Sequence, residues 1–449
     1  MLLGLKKLMA NLKFYNKNNY IILNILFSLI PLSYIIGNFA VNLNVLFIIV
    51  FSLIIYNKKI FKSNLELIDK IILSFFALAL FSAIINTIET ISSDQDNSTF
   101  IKTILFFRYL LLYFILKYLI ENDKIYFKWF FISSLICTLF VSFDIFYQFA
   151  FSQDIFGLKP LHPSKLSGPF GDELIAGGDL FKFSIFGIFL LPFFKLKKTF
   201  LSLTLSILFL IYFTAITLSG NRMPLILFLL SVFLILLFEK KTRKYIPLSL
   251  IVVSIFFFVI YKNNLAVKQS FNSFYYNASS IINIFVVENI TKSSKIPERN
   301  IPAYYQEFKS FYGTWMMNKY IGGGIKSFRH NCPKRKILSH NETTTCNTHP
   351  HNYYLEILTE VGIIGLILSC LIFIITIYNS LVKNYFFKPR KRINIISVPF
   401  IFVFISEIFP IKTTGSFFTT STSTFIFLLI AVIIALSKKK INKNKYLFY

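Results

Sequence analysis

The chain is poor in acid, in arginine and in cysteine. It has 20 Asp and Glu against 47 Lys and Arg, a net charge of +27, and charged residues fill only 15% of its 449 positions. An ordinary soluble domain is about one-quarter charged. So low a share, with 55% hydrophobic residues, excludes a soluble enzyme and a disordered chain. Four cysteines are too few for a secreted disulfide framework. No Walker loop, dinucleotide-binding glycine fingerprint, Gly-x-Ser-x-Gly turn or zinc-ligand spacing occurs. The basic N-terminus has no small-residue cleavage site after its first apolar run, so that run is read as a retained span rather than a signal peptide.

What the chain has in excess is phenylalanine, 56 residues of it, set in long Ile/Leu runs. A bilayer crossing takes about 20 mostly apolar residues. The expected fold is an all-α polytopic membrane protein with about twelve apolar segments. They lie near 20–38, 42–56, 69–88, 103–120, 126–150, 180–194, 199–218, 223–238, 245–261, 353–378, 394–411 and 424–437. Three regions follow: helices one to nine over 1–261, with loops at 89–101 and 151–179; a large loop over 262–352; and three further helices with a basic tail over 353–449.

In a soluble protein such a charge would suggest nucleic acid. Here the basic residues sort by side instead, and no nucleic-acid partner is expected. If the N-terminus is cytoplasmic, every inside connection is basic, among them Lys58–Lys59–Lys62, Lys240–Lys241–Arg243–Lys244 and Lys438–Lys439–Lys440. Both termini are then cytoplasmic and 262–352 lies outside, carrying 12 Lys and Arg against 4 Glu. Within it Tyr304, Tyr305, Phe308, Phe311, Tyr312, Trp315 and Met316 recur at helical spacing. They suit an amphipathic helix at the membrane surface, or equally one packed on the loop itself.

Arginine is used sparingly, eight residues against 39 lysines, and binds phosphate bidentately as lysine cannot. Arg108 sits inside an apolar run, where a charge faces a partner or a cavity. Asp144 in the next run is its natural candidate partner. Arg222, in LSGNRMPL, lies where one run ends and the next begins; alone it reads as an anchor as readily as a ligand. Arg329 falls in the large loop. SGPFGDELIAGGDL at 167–180 carries Asp172, Glu173 and Asp179, and alone is an ordinary turn before a helix. In THPHNYYLEILTEVGIIGLIL, His349 and His351 flank Pro350 at the mouth of a run, followed by Asn352 and, after nine intervening residues, by Gly362 and then Gly365. A histidine near neutral pH can take a proton from a sugar hydroxyl. The two glycines would share a helix face and permit close helix packing. Glu356 and Glu360 stand one turn apart. Asp94 and Asp96 form a DxD pair of the kind that acidic loops also give by chance. Cys332 and Cys346 would close a 15-residue ring in the outer loop, a disulfide worth about 3 kcal/mol just ahead of the histidines.

The His-Asn, nine-residue, Gly-x-x-Gly pattern at the end of a large outer loop resembles the O-antigen ligase/polymerase superfamily. So do SGPFGDELIAGG, LSGNRMPL, WMMNKYIGGGIKSFR and an early-span arginine at 108. Two departures, Met-Pro after Arg222 and Gly-Gly-Gly at 322–324, touch only loop geometry. The resemblance implies a GT-C-like glycosyltransferase of the bacterial inner membrane facing the periplasm. Its donor would be a glycan on undecaprenyl diphosphate. Its acceptor would be a sugar hydroxyl, on lipid A–core for a ligase or on another lipid-linked glycan for a polymerase. His351 and Arg222 are then the catalytic candidates, with Arg108, Arg329, His349, Asn352, Asp172 and Glu173 around the substrate. Neither a cofactor nor a metal is called for. From another class, a transporter of lipid-linked glycans would suit the many spans, but less well the loop that ends in histidines.

Overall fold

The computed structural model describes residues 20–62, 64–91, 98–162, 164–191, 197–239, most of 246–279, 303–335, Cys346, 349–387 and 396–438. The Asp94/Asp96 pair, Arg299, the first 19 residues and the basic tail beyond Lys438 lie outside them.

Among the described residues the fold is helical throughout, with no strand. In chain order the helices are α1 (Ile30–Ile36, preceded by helix over 20–28), α2 (Asn38–Tyr56), α3 (Leu67–Ile91), α4 (Ser98–Glu121) and α5 (Phe127–Phe151). They continue with α6 (Ala176–Leu190), α7 (Lys198–Leu218), α8 (Arg222–Phe238), α9 (Ile246–Asn263), α10 (Ala303–Trp315) and α11 (Phe328–Asn331). Last come α12 (Tyr353–Ile377), α13 (Ser397–Glu407) and α14 (Thr420–Lys438). Seven of these, α2, α3, α4, α5, α7, α12 and α14, are long and apolar enough to cross a membrane. Seven such helices are consistent with a multi-pass membrane protein.

Every apolar segment expected from the sequence forms helix, but not every one forms a full-length span. The first is broken at Leu29, ahead of Pro31, which has no amide proton to donate into the preceding turn. Of the segment at 394–411 the described residues give only the 11 of α13, which ends at Glu407 shortly before Pro410. Helix α13 is enclosed by protein along nearly its whole length. A short helix is tolerated at membrane depth when protein rather than lipid surrounds it.

Helix α14 is the centre of the bundle, buried from Thr422 to Leu436 and packed on α4, α13 and α2. Helix α12 packs on α3, and α5 on α6. The periphery carries large apolar side chains turned outward, with Phe39 79%, Ile54 70% and Ile88 64% exposed. Such surfaces suit contact with lipid rather than water. Lys438 ties one end of the bundle together through Glu66 at 2.7 Å and Glu121 at 2.5 Å. Nearby, Lys117 and Tyr113 both donate to the buried Asp69 carboxylate. At the opposite end the C-termini of α3 and α13, the N-termini of α12 and α14, and residues 303–335 converge.

Candidate functional site

Helix α12 is interrupted at Gly362, whose φ of 75° and ψ of −175° leave the helical region. The break frees backbone groups on both sides, and the segment 319–324 satisfies them. Gly323 N–H donates to the Thr359 carbonyl (3.2 Å) and Gly324 N–H to that of Glu360 (2.8 Å). In return Ile363 N–H donates to Lys319 O (2.9 Å) and Ile364 N–H to Tyr320 O (3.3 Å). Ser82 and Asn86 of α3 hold the same segment by donating to the Gly322 carbonyl. Gly362 therefore receives a loop rather than a second helix, unlike the helix-packing role expected from its spacing.

Asn352 is the N-cap of α12. Its Oδ1 accepts from the amides of Tyr354 and Leu355, and its Nδ2 donates to the Pro410 and Lys412 carbonyls. The side chain thus starts the helix and ties it to the 408–419 connection. His351, just before it, has a φ of 52°, a left-handed conformation that few residues other than glycine adopt. Its ring meets that of half-buried His349 edge-on, with centroids 4.4 Å apart. Burial first, then the neighbouring His351, holds the His349 pKa below the usual 6.5, with Lys326 adding to the effect and Glu356 opposing it.

Beneath this turn, on the first turn of α12, lies Glu356, 1% exposed. Its carboxylate accepts from Lys326 Nζ (2.9 Å), Ser416 Oγ (2.5 Å) and the Phe417 amide (2.5 Å). Lys326 also donates to Ser416 Oγ at 2.8 Å, and its own φ is 62°. Burial works against its charge, but Glu356 and Glu360 outweigh burial and raise its pKa above 10.5. Glu360 is equally buried, and exposed Arg329 lies close enough to act on both Lys326 and Glu360. Neither Lys326 nor Ser416 stood out in the sequence. Lysine is too abundant in this chain to draw notice, and Ser416 joins the site only through the bundle's packing.

A second polar cluster adjoins the first. Lys412 Nζ pairs with Glu407 Oε1 at 2.9 Å and donates to Tyr353 Oη at 2.6 Å, while Tyr353 donates to Glu407 Oε1 at 2.6 Å. Lys182 of α6 lies near enough to Glu407 to act on it, and its amine is 3.8 Å from Asp179. Arg108 joins from α4, donating to Tyr109 Oη (2.6 Å) and Thr420 Oγ1 (3.4 Å). It does not meet Asp144, which instead accepts from the Ile155 amide and so fastens the connection after α5. The two runs place the side chains against different neighbours, and Arg108 turns toward the start of α14.

Two other sequence motifs are brought together a short way off. Asn221, the N-cap residue of α8, donates to the Leu174 carbonyl (2.6 Å), and Leu166 N–H donates to Leu218 O (3.4 Å). The 164–180 segment thereby lies on the α7–α8 turn. Arg222 lines an open pocket there with Ser164, Thr217, Val267 and Phe271. Asp172 and Glu173 are exposed on the same segment.

The loop preceding the histidines is pinned by the Cys332–Cys346 disulfide. Buried Arg335 donates to Cys332 Sγ and Ser310 Oγ, joining it to α10. Phe311 stacks on Phe328, with centroids 3.5 Å apart, in the small core beside it. Helix α10 turns Ser310, Phe311 and Thr314 inward and leaves Tyr312 48% and Met316 39% exposed. It is a helix packed on its own loop and on α12.

Residues 207–370 match the family model described as O-antigen ligase. Over that stretch the chain is similar to the O-antigen ligase superfamily. The match runs from α7 to just beyond the break in α12, taking in Arg222, Lys326, Arg329, both histidines and Glu356 but not Arg108 or Ser416. No curated protein matches the chain.

Proposed function

We propose that this O-antigen ligase-type protein is a glycosyltransferase of the bacterial inner membrane. It moves a glycan from undecaprenyl diphosphate to a sugar hydroxyl of lipid A–core on the periplasmic face, with both termini cytoplasmic. The observation that supports this best is the His349–His351 turn, inside the family match and just ahead of the helix whose first turn carries Glu356.

The chemistry asks little of the protein beyond placement and charge. The acceptor oxygen attacks the anomeric carbon of the donor sugar and the bond from that carbon to the diphosphate oxygen breaks. The hydroxyl proton goes to a base, and undecaprenyl diphosphate leaves with its negative charge. His351 is assigned the proton. Arg222 is assigned the diphosphate, with Arg329 and Arg108 as further cations. His349, Asn352, Asp172 and Glu173 border the acceptor and donor sugars in this reading; for Asn352 the contribution is to fix the turn. Neither ATP nor a metal enters the step.

The test is lipopolysaccharide from a strain lacking this gene, complemented with wild type, His351→Ala or Arg222→Ala. Core without any chain, with long glycan still on the lipid carrier, supports the ligase. Core bearing a single repeat unit makes the protein a polymerase. An unchanged ladder, with no cleavage of a lipid diphosphate-linked glycan by the purified protein, turns the reading toward a transporter.

A further inference from the structure

The connection after α5 is built unlike a loop that faces water. Five consecutive backbone amides, from Asp154 to Leu158, donate to acceptors within the protein. Those of Phe156 and Leu158 go to Asp154 Oδ1, at 2.9 and 2.7 Å. That of Ile155 goes to Asp144 Oδ1, at 2.8 Å. Gly157 N–H donates to the Asp154 carbonyl (3.0 Å), and Asp154 N–H to the Leu158 carbonyl (2.8 Å). Both carboxylates are buried to hold this shape, although burying such a group is costly. The apolar side chains go the other way. Ile155, Phe156, Leu158 and Leu161 are all exposed, Phe156 by 67%.

This apolar surface continues onto α5. Trp129, Ile136 and Phe143 are seven residues apart, so they share one helix face, and all three are exposed. Phe143 packs on Tyr147 (centroids 6.5 Å apart) and Tyr147 on Phe151 (4.5 Å), which carries the stripe to the end of the helix. The 25 residues of α5 extend about 37 Å, against ~30 Å for a bilayer's hydrocarbon core, so the last turn reaches headgroup depth. Helix α4 ends at Glu121 beside Lys438, so α5 starts at that end of the bundle and emerges at the end that carries the histidine turn. Exposed Lys159 adds a charge of the sign that anionic headgroups attract.

We propose that the 152–161 connection is a membrane anchor, which inserts Phe156, Leu158 and Leu161 into the lipid leaflet at the histidine end of the bundle. Its amides are paired internally because lipid offers them no partner. The occupant of this surface is lipid, because the surface prolongs the exposed apolar stripe of a helix long enough to cross the bilayer. The anchor also bears on the candidate site. Leu158 lies against Gly171, where an added Cβ would meet its Cδ1 at 3.5 Å. Gly171 belongs to the 164–180 segment that Asn221 ties to the α7–α8 turn. Insertion therefore sets the depth at which Arg222 and its pocket meet the headgroups. Only the use of that depth, for a lipid-borne diphosphate, rests on the transfer reading above; the insertion does not.

The experiment puts a fluorescent reporter in the connection of the full-length protein, in nanodiscs of phosphatidylcholine and phosphatidylglycerol. Trp129→Phe and Trp315→Phe remove the two native tryptophans, and Phe156→Trp supplies the reporter. Its emission should shift to the blue, fall when the phosphatidylcholine carries brominated chains, and resist aqueous iodide. Asp154→Ala leaves the Phe156 and Leu158 amides without their acceptor and should restore quenching by iodide. Disulfide-dependent gel mobility checks folding, and Leu161→Trp carries the test if Phe156→Trp does not fold. A reporter quenched by iodide and not by bromine lies in water and overturns the anchor. One sheltered from both lies under protein, a second copy or a partner, and overturns it too. Failure of His351→Ala to abolish transfer overturns the transfer reading instead and leaves the quenching result standing.

Discussion

Gly322 and Gly362 meet backbone to backbone. A Cβ on Gly322 would lie 2.4 Å from the Glu360 carbonyl carbon, and one on Gly362 would lie 2.2 Å from the Tyr320 carbonyl oxygen. Both have positive φ, 72° and 75°. Alanine at either therefore adds left-handed strain to a clash with backbone that cannot swing aside. Each substitution should cost more than about 2 kcal/mol and separate Lys326 from Glu356. Gly178→Ala, where nothing lies within 4 Å, is the control and should be neutral. Thermal unfolding in detergent alongside transfer measures both; a Gly362→Ala protein as stable and active as wild type would contradict the interlock.

The Cys332–Cys346 disulfide anchors the chain three residues before His349. Cys332→Ser with Cys346→Ser should lower stability by about 3 kcal/mol. Transfer should fall further than stability alone explains, because the histidine turn loses its upstream tether. Thiol labelling with and without reductant reports the bond, and transfer after reduction reports the tether. Unchanged transfer in the doubly substituted protein would make the bond protective only.

Asn352 uses both ends of its amide in fixing the turn. Asn352→Ala loses the cap and the tether, and should cost about 0.5–2 kcal/mol for the cap alone. Asn352→Ser keeps a capping oxygen and should retain more stability and more transfer than alanine. Equal loss of transfer in both, with serine fully stable, would instead point to direct contact with substrate.

Burial keeps His349 neutral to lower pH than its usual 6.5. Transfer that needs the neutral ring should hold above 6.5 and fall as pH drops through the lower, folded-state value. Stability has the same sign. The unfolded chain takes the proton first as pH falls, so this residue's contribution is present above 6.5 and lost below the folded-state value. Rates and unfolding temperatures across this range check it, and a rate that rises on acidification would show that transfer does not need a neutral His349.

The bundle was legible in the sequence because each helix is written as a run of apolar residues. The histidine turn was legible because His349 and His351 are rare types at a sharp boundary. Residues whose meaning comes from pairing were not. Lys326 is one lysine among 39, and only the loop that crosses the break in α12 brings it to Glu356. Arg108 and Asp144 looked complementary because they sit in successive apolar runs, yet each found another partner. The spacing of Gly362 and Gly365 suggested packing between helices, since a loop inserted into a helix has no period to announce it.

The Glu407–Lys412 pair separates structural from chemical roles. Both are nearly fully buried, at 0% and 4% exposed. Lys412→Met strands the Glu407 carboxylate with Tyr353 as its remaining donor and should destabilise by about 3–5 kcal/mol. Replacing both, as Lys412→Met with Glu407→Gln, removes the stranded charge and should recover most of that loss. If the pair only braces the 408–419 connection against α12, transfer recovers with stability. If Lys412 also meets the anionic donor, the double variant is stable but slow. The KM for the lipid-linked donor would then rise while protein yield and unfolding temperature match wild type.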